Sequence, residues 1–589
     1  MPKQNSLKKG NDMKSLLIYL KDYKKESVLA PIFKMLEACF ELIVPLVMAA
    51  VIDVGIVNSD KTYVMKMCGV LVLLGIVGLA ASITAQFFAA KAATGFASKL
   101  RFALFEHIHS LSFSQTDVFG TDTLITRMTS DINQVQSGVN MVLRLFMRSP
   151  IVVIGAMIMA FTVNPSEAFI FVIVIPLLAI VVFGIMLITM PLYKKAQARL
   201  DLITRGTREN LTGVRVIRAF NKEESEEKNY FENTKALSKE QQFVGGISGL
   251  MNPITYLMIS FATIALIYSG AVKVDTGILT KGQVIALINY MSQILIELVK
   301  LANLIILTTK AVACGDRIAA VLNTKPDMVN GKEEVINTDN NEVLSFDHVS
   351  LTYKGGQGKA LDDITFTIQK GQTVGIIGGT GSGKSSLVNL IPRFYDATEG
   401  KVSIFGRDVR EYNYNLLRDK IGIVLQKAEL FHGTIEENLK WGKENASKDD
   451  IEKALEYSQA KEYVDKKPGK TSFEIEQNGR NLSGGQKQRL TIARALIKKP
   501  DILIMDDSAS ALDFATDAKL RMSIRNMSKD ITTFIVSQRA ASVQYADVIL
   551  VMDDGKLVGK GTHEELLAQN KVYQEIYYSQ FPKEEAVNG

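Results

Sequence analysis

Charged side chains are spaced unevenly along the chain, and the gaps between them set the first expectation. None occurs between Lys66 and Lys91, Arg148 and Glu167, Glu167 and Lys194, or Glu240 and Lys273. Each gap is about 18 residues or longer, enough to cross a bilayer as a helix. Two weaker apolar stretches, 28–52 and 282–309, bring the expected spans to six. One such run alone would suit a buried core helix. Six within roughly 310 residues, some almost touching, do not fit a soluble core and predict a polytopic α-helical membrane domain.

The links between spans are unequal. Short polar turns are expected near 58–61, at "VNPSE" and at "KVDTGILTK", whereas the connections 91–148 and 194–240 are long, basic and helical in pattern. Positive charge collects on the cytoplasmic side, so both long connections are expected there. Their turns are expected near "SQTDVFGTD" (114–122) and "ENLTGVRVIRAF" (209–220), placed to contact a soluble domain. The N-terminus carries Lys3, Lys8, Lys9, Lys14, Lys21, Lys24 and Lys25 with no short apolar segment and cleavage site behind them. It reads as a cytoplasmic tail, and an even number of spans then leaves both termini on the cytoplasmic side of the plasma membrane.

Two polar stripes interrupt the spans. Lys34, Glu37 and Glu41 share one helix face, as do Asn289, Gln293, Glu297 and Lys300. Ionisable groups in lipid are costly, so such faces line a water-filled cavity or pair with one another. Glu41 and Glu297 lead the candidates for substrate contact, with Glu37, Asn289 and Gln293 beside them; for Lys34 and Lys300 the alternative is snorkelling to an interface.

Beyond "NTKPD" (323–327) the pattern changes to short alternating strands, "VLSFDHVSLTY", "LDDITFTI" and "TVGIIGG". The last runs into "GGTGSGKSS": Gly378, Gly379, Thr380, Gly381, Ser382, Gly383, Lys384, Ser385 and Ser386. This is the phosphate-loop pattern GxxxxGKS, in which glycines turn backbone N–H groups toward phosphates and the following helix adds its positive end. Lys384 is then expected on the β- and γ-phosphates and Ser385 on magnesium, in an α/β P-loop NTPase domain. The expected boundaries are 1–322 for the membrane domain, 323–341 for a linker, 342–581 for the NTPase and 582–589 for a tail. The net charge of +6 fits phosphate ligands and membrane topology and makes no case for nucleic acid. Cys39, Cys68 and Cys314 lack metal-ligand spacing and read as free thiols.

About 100 residues after the phosphate loop comes "NLSGGQKQRLTIARAL", then "PDILIMDD". The combination resembles the ATP-binding-cassette family, whose signature LSGGQ stands at Leu482, Ser483, Gly484, Gly485 and Gln486. Six spans, two long cytoplasmic loops and one cassette resemble an exporter half-transporter. The resemblance implies that Tyr353 stacks on adenine, that Gln426 reaches magnesium and the attacking water, and that Asp506 ligates magnesium. It assigns "SALD", ending at Asp513, to the loop that crosses to a partner cassette. It further implies a dimer in which two ATP molecules lie between a phosphate loop of one chain and LSGGQ of the other.

Asp507 departs from the pattern, standing where the family's catalytic glutamate polarises water, and so does Gln538, in place of the histidine that contacts the γ-phosphate. Gln477, near the signature, occupies a place that is often glutamate. Aspartate is one methylene shorter, a setback of roughly 1 Å that can cost on the order of a hundredfold in rate. Glutamine donates a hydrogen bond but cannot carry a proton as imidazole does. Retained binding residues with weakened water activation resemble the degenerate-site subunit of heterodimeric multidrug exporters. The partner is then a second, non-identical half-transporter whose hydrolytic site this chain's LSGGQ completes. ATP-driven export of an amphiphilic drug, lipid or peptide is the expected function. An ATP-gated regulator or channel, and an importer on the same fold, are the alternatives.

Overall fold

The computed structural model describes residues 13–581 except 337, 339, 357, 509–511 and 528–529. Lys3, Lys8 and Lys9 of the basic tail, Ser510 and Ala511 of "SALD", and the tail 582–589 lie outside the described residues.

Six described helices are long and apolar enough to cross a membrane: Met13–Ile56, Lys61–Ser110, Thr121–Val163, Pro165–Thr212, Glu223–Asp275 and Lys281–Asn323. Their packing is the reverse of a soluble bundle. On the second helix Ala81, Ala85, Ala89, Ala92 and Ala93 are buried, while Leu73, Ile76, Leu79, Ile83 and Phe87 stand 60–61% exposed. Small side chains let helix backbones approach closely, and large ones are left for lipid tails, which are as apolar as leucine. The third helix repeats the arrangement, with Ala156 and Ala160 inside and Ile154 and Ile158 outside.

The reversals follow local chemistry. The Asn164 side chain accepts hydrogen bonds from the N–H groups of Ser166 and Glu167, and Pro165 fills the first helical position, so the chain turns sharply at "VNPSE". Thr280 and Gln283 close a reciprocal capping box at the start of the last long helix.

Two compact units divide the chain. The first comprises Met1–His109 and Asp122–Thr324; the second comprises Ser110–Thr121 and Lys325–Gly589. The turn after the second long helix thus belongs with the C-terminal half. Ser112 caps a short helix, Phe113–Phe119. The Phe113 ring lies 4.7 Å from that of Phe394, Tyr395 Oη donates to Asp117 Oδ2 at 2.7 Å, and Gln115 Nε2 donates to the Lys325 carbonyl at 2.7 Å. The turn within 209–220 stays in the first unit as the helix Val214–Ala219, with Leu211, Val216 and Phe220 61–71% exposed.

The second unit holds the strands. β1 (Glu342–Leu351), β2 (Leu361–Gln369), β4 (Glu399–Ile404) and β5 (Arg407–Asp408) form an antiparallel sheet in the order β2-β1-β4-β5. β3 (Thr373–Gly378), β6 (Ile421–Val424), β9 (Ile502–Asp506), β10 (Thr532–Val536), β11 (Val548–Asp553) and β12 (Lys556–Gly561) form the main sheet, ordered β12-β11-β3-β10-β9-β6. A small ladder pairs β7 (Gly433–Thr434) with β8 (Glu474–Ile475). The main sheet is parallel except at β12, and its central strands are buried on both faces. Register does the rest: Val536 pairs with both Ile376 and Asp506, so the ends of β3, β9 and β10 reach one line. Ligands of open parallel sheets bind beyond such carboxyl ends.

Candidate nucleotide-binding site

The loop after β3 needs its glycines. Gly381 and Gly383 have φ of +81° and +93°, left-handed values that disfavour a side chain. A Cβ on Gly383 would lie 2.7 Å from the Ala360 carbonyl oxygen, and one on Gly378 would run into the Met552 carbonyl. Lys384 opens the following helix and folds back into the loop. Its buried ammonium donates to the carbonyls of Gly379 at 2.6 Å and Gly378 at 3.0 Å. Burial draws this ammonium below its ordinary pKa, against the pull of Asp507 and Asp506.

Parallel pairing sets the acidic end of β9 against the loop. Ser385 Oγ donates to Asp506 Oδ1 at 3.1 Å. Burial pushes the Asp506 carboxyl above the usual carboxylate range, the Asp507 charge adding and Ser385 and Lys384 opposing. Asp507 has a left-handed φ of +45°, and its N–H donates to the Val536 carbonyl at 3.0 Å. Burial raises its pKa too, opposed by Arg539, Lys384 and a long 3.5 Å contact from Gln426 Nε2.

These residues line one cavity of about 230 Å³ that includes Thr380, Gly381, Gly383, Lys384, Ser385, Ser386, Gln426, Asp506, Asp507 and Gln538. Gly378, Gly379 and Ser382 stand behind it, as the carbonyls and hydroxyl around Lys384. Tyr353 reaches the same wall through its phenol, which donates to Ser386 Oγ at 3.0 Å, and its ring packs edge-on against Tyr395 at 5.0 Å. Ala360, Val536 and Ser537 also line the cavity. Sequence gives no sign of Ala360; Val536 and Ser537 are signalled only by adjoining Gln538.

Magnesium suits this donor set. Ser385 Oγ, the Asp506 carboxylate and the Gln426 amide supply hard oxygen donors, and magnesium keeps waters and phosphate oxygens for its remaining positions.

LSGGQ is not part of this cavity. Leu482 is buried, and Ser483 caps the helix Gly484–Leu496: its N–H donates to Gln486 Oε1 at 3.1 Å and its Oγ accepts from the Gln486 N–H at 3.4 Å. Ser483 and Gly484 are exposed, so the positive end of that helix faces outward. Gln477 sits in the short turn Gln477–Gly479 just before it. Asp513 caps the next helix, accepting from the Thr516 N–H at 2.8 Å.

In the membrane unit the two polar stripes meet at an arginine. Arg148 donates to Glu41 Oε2 at 2.6 Å and Glu297 Oε1 at 2.7 Å. Ser149 Oγ and Lys300 Nζ also bind Glu297, each at 2.8 Å. Lys34 is held by Glu37 at 2.5 Å and Ser82 at 3.1 Å. Glu297 is therefore only 3% exposed and Glu41 keeps 42% of its side chain open, with Asn289 exposed and Gln293 half-buried on the same helix as Glu297. In sequence Arg148 reads only as the edge of an uncharged gap, and nothing local to it signals its two acidic partners.

Residues 27–298 match the family model for the ABC transporter transmembrane region, and residues 361–510 match that for the ABC transporter. The chain is 36% identical over 573 residues to the ABC transporter ATP-binding protein YfiB of Bacillus subtilis (strain 168), covering 97% of this chain and 99% of that one. It is 28% identical over 564 residues to the ATP-dependent lipid A-core flippase of Yersinia pestis bv. Antiqua, covering 95% and 96%. The solved structure of a bacterial Atm1-family ABC exporter with ATP bound shares the fold, with a TM-score of 0.78 at 22% identity over 95% of this chain and 98% of that one. With one transmembrane region fused to one ATPase domain in the exporter fold, the chain belongs to the ABC transporter family as a multi-pass membrane half-transporter.

Proposed function

We propose that this chain is the weakly hydrolysing half of a heterodimeric exporter that moves amphiphilic compounds across the plasma membrane. One observation carries the proposal: Asp507 and Gln538, the two departures from the family pattern, line the same cavity as an intact phosphate loop and Asp506. Binding groups are complete there while both water-activating groups are weakened.

In this reading the loop N–H groups and Lys384 hold the phosphates, and Tyr353 stacks on adenine. Ser385, Gln426 and Asp506 hold magnesium, which when bound neutralises charge on the β- and γ-phosphates. The Asp507 carboxylate stops short of the attacking water, and Gln538 offers the γ-phosphate a hydrogen bond but no proton. ATP therefore persists. The outward-facing Ser483 and the N–H groups of Gly484 and Gly485 cap the terminal phosphate held by a non-identical partner, where hydrolysis proceeds. The turns Ser110–Thr121 and Val214–Ala219 carry cassette closure to the spans, and both termini are cytoplasmic.

The substrate is a lipid or another amphiphile. The exposed apolar faces of the spans suit a bilayer route, and the flippase relative moves a lipid. Reconstitution with the partner tests the assignment. Removing the partner's catalytic glutamate should abolish hydrolysis and the movement of labelled lipid or dye, while ATP stays trapped at this chain's loop. Full hydrolysis and transport by this chain alone would overturn it.

A further inference from the structure

The last helix of the cassette, Lys571–Gln580, ends in a side chain that grips the backbone on both sides of Arg539. Gln580 Nε2 donates to the Gln538 carbonyl at 2.8 Å, and Gln580 Oε1 accepts from the Ala540 N–H at 2.9 Å. A carboxamide presents a donor and an acceptor side by side in one plane, which an ionised carboxylate does not. Glutamate at this position would keep the acceptor and set a negative oxygen against the Gln538 carbonyl.

Upstream of the grip, the segment is fixed by the sheet. The Ser537 N–H donates to the Ile376 carbonyl at 3.0 Å, and Ser537 Oγ accepts from the Arg539 N–H at 3.0 Å. Downstream, Ala540 and Val543 are buried in the core beside the sheet and Arg521 donates to the Ala541 and Ser542 carbonyls at 2.9 and 3.2 Å, while the Gln580 carboxamide holds the two peptides that flank Arg539. The gripping helix is itself anchored independently. Tyr573 is fully buried with its phenol 2.7 Å from His563 Nδ1, and Ile576 and Tyr577 pack on the core that also holds Ala540 and Val543. Gln580 is exposed at the helix end, so its two bonds add little to that packing. What they do fix is the peptide from which the Gln538 side chain departs.

We infer that Gln580 is a positioning residue for Gln538, holding the peptide frame from which the Gln538 carboxamide reaches the terminal phosphate of the bound nucleotide. This rests on the assignment of Gln538 to the γ-phosphate. A residue acting through that contact alters the affinity for ATP and leaves ADP, which lacks the phosphate, unaffected. A residue that only stabilises the domain moves both affinities or neither.

The test uses the full chain in lipid nanodiscs, with MgATP and MgADP each competing against trinitrophenyl-ATP. Gln580→Ala should weaken MgATP about three- to tenfold, the range for losing a hydrogen-bonded constraint, with MgADP and the unfolding temperature unchanged. Gln580→Glu should weaken MgATP as well, because it repels the Gln538 carbonyl. Gln538→Ala separates the two claims. If it lowers MgATP affinity alone while Gln580→Ala and Gln580→Glu do nothing, or if those variants weaken MgATP and MgADP together, the positioning role is overturned. If Gln538→Ala leaves the ATP-to-ADP ratio unchanged, the assignment of Gln538 to the γ-phosphate falls and the positioning role falls with it.

Discussion

The Ser385 hydroxyl donates to Asp506 Oδ1 at 3.1 Å, tying the phosphate loop to a strand end 121 residues further along the chain. Both groups are oxygen donors for magnesium, so Ser385→Ala and Asp506→Asn are expected to weaken nucleotide retention only when the metal is present. Losing even an outer-shell partner of a metal costs about 10–100-fold in affinity, and direct donors should cost at least the lower figure. Retention of labelled ATP with and without EDTA checks this: the variants should match the unaltered chain once magnesium is removed.

Gly383→Ala should abolish nucleotide binding at this loop. The backbone there is left-handed at +93°, and the new methyl would press on the Ala360 carbonyl at 2.7 Å. Strain of about 1–3 kcal/mol at such a position is relieved by distorting the loop, which misaims its N–H groups. Trinitrophenyl-ATP titration reads the loss, and circular dichroism should show the helices intact.

Arg148→Met should destabilise the membrane unit by about 1.5–3 kcal/mol, because buried Glu297 loses its charge-assisted bond to the guanidinium and keeps only Lys300 and Ser149. Adding Glu297→Gln should recover much of the loss. Thermal unfolding in detergent of the two single variants and the double variant measures the coupling, and additive losses would deny that these side chains act as a pair.

Tyr395→Phe removes the 2.7 Å bond to Asp117 and leaves the aromatic packing on Phe113. Basal ATP hydrolysis by the reconstituted pair should persist while its stimulation by transported substrate falls. Burial, with Asp117 beside it, raises the phenol above its ordinary value. The contribution of this bond is therefore fully present below about pH 10, the ordinary phenol value, and is lost only as pH rises through the higher folded value. Coupling should be flat between about pH 6 and pH 9 on this account. A drop within that window for the unaltered chain, absent from Tyr395→Phe, would contradict it.

Much of this architecture is legible in sequence because lipid leaves so few solutions: a long run without charge has to be a helix. Which face of each helix turns inward is not legible from hydropathy, since Ala85 and Ala89 are buried and the more apolar Ile83 and Phe87 are not. The phosphate loop could be read residue by residue because its chemistry is local. Arg148 could not, because its meaning lies in Glu41 and Glu297, 107 and 149 residues away. The same holds for Gln580, which follows no motif and acquires a role only when the last helix lies beside the end of β10. The membership of Ser110–Thr121 in the cassette unit depends on aromatic contacts to Phe394 and Tyr395 that no periodicity announces.

ATP hydrolysis by the lipid-reconstituted pair, carrying Asp507→Glu in this chain and a disabled catalytic glutamate in its partner, decides whether Asp507 is what silences this chain's own loop. With Asp507 unaltered the pair should be nearly inactive. Asp507→Glu should restore turnover at this chain's own loop, because the added methylene returns the carboxylate to the attacking water. If instead the unaltered chain already hydrolyses ATP at full rate and Asp507→Ala abolishes it, then Asp507 is itself the working base and the asymmetric account is wrong.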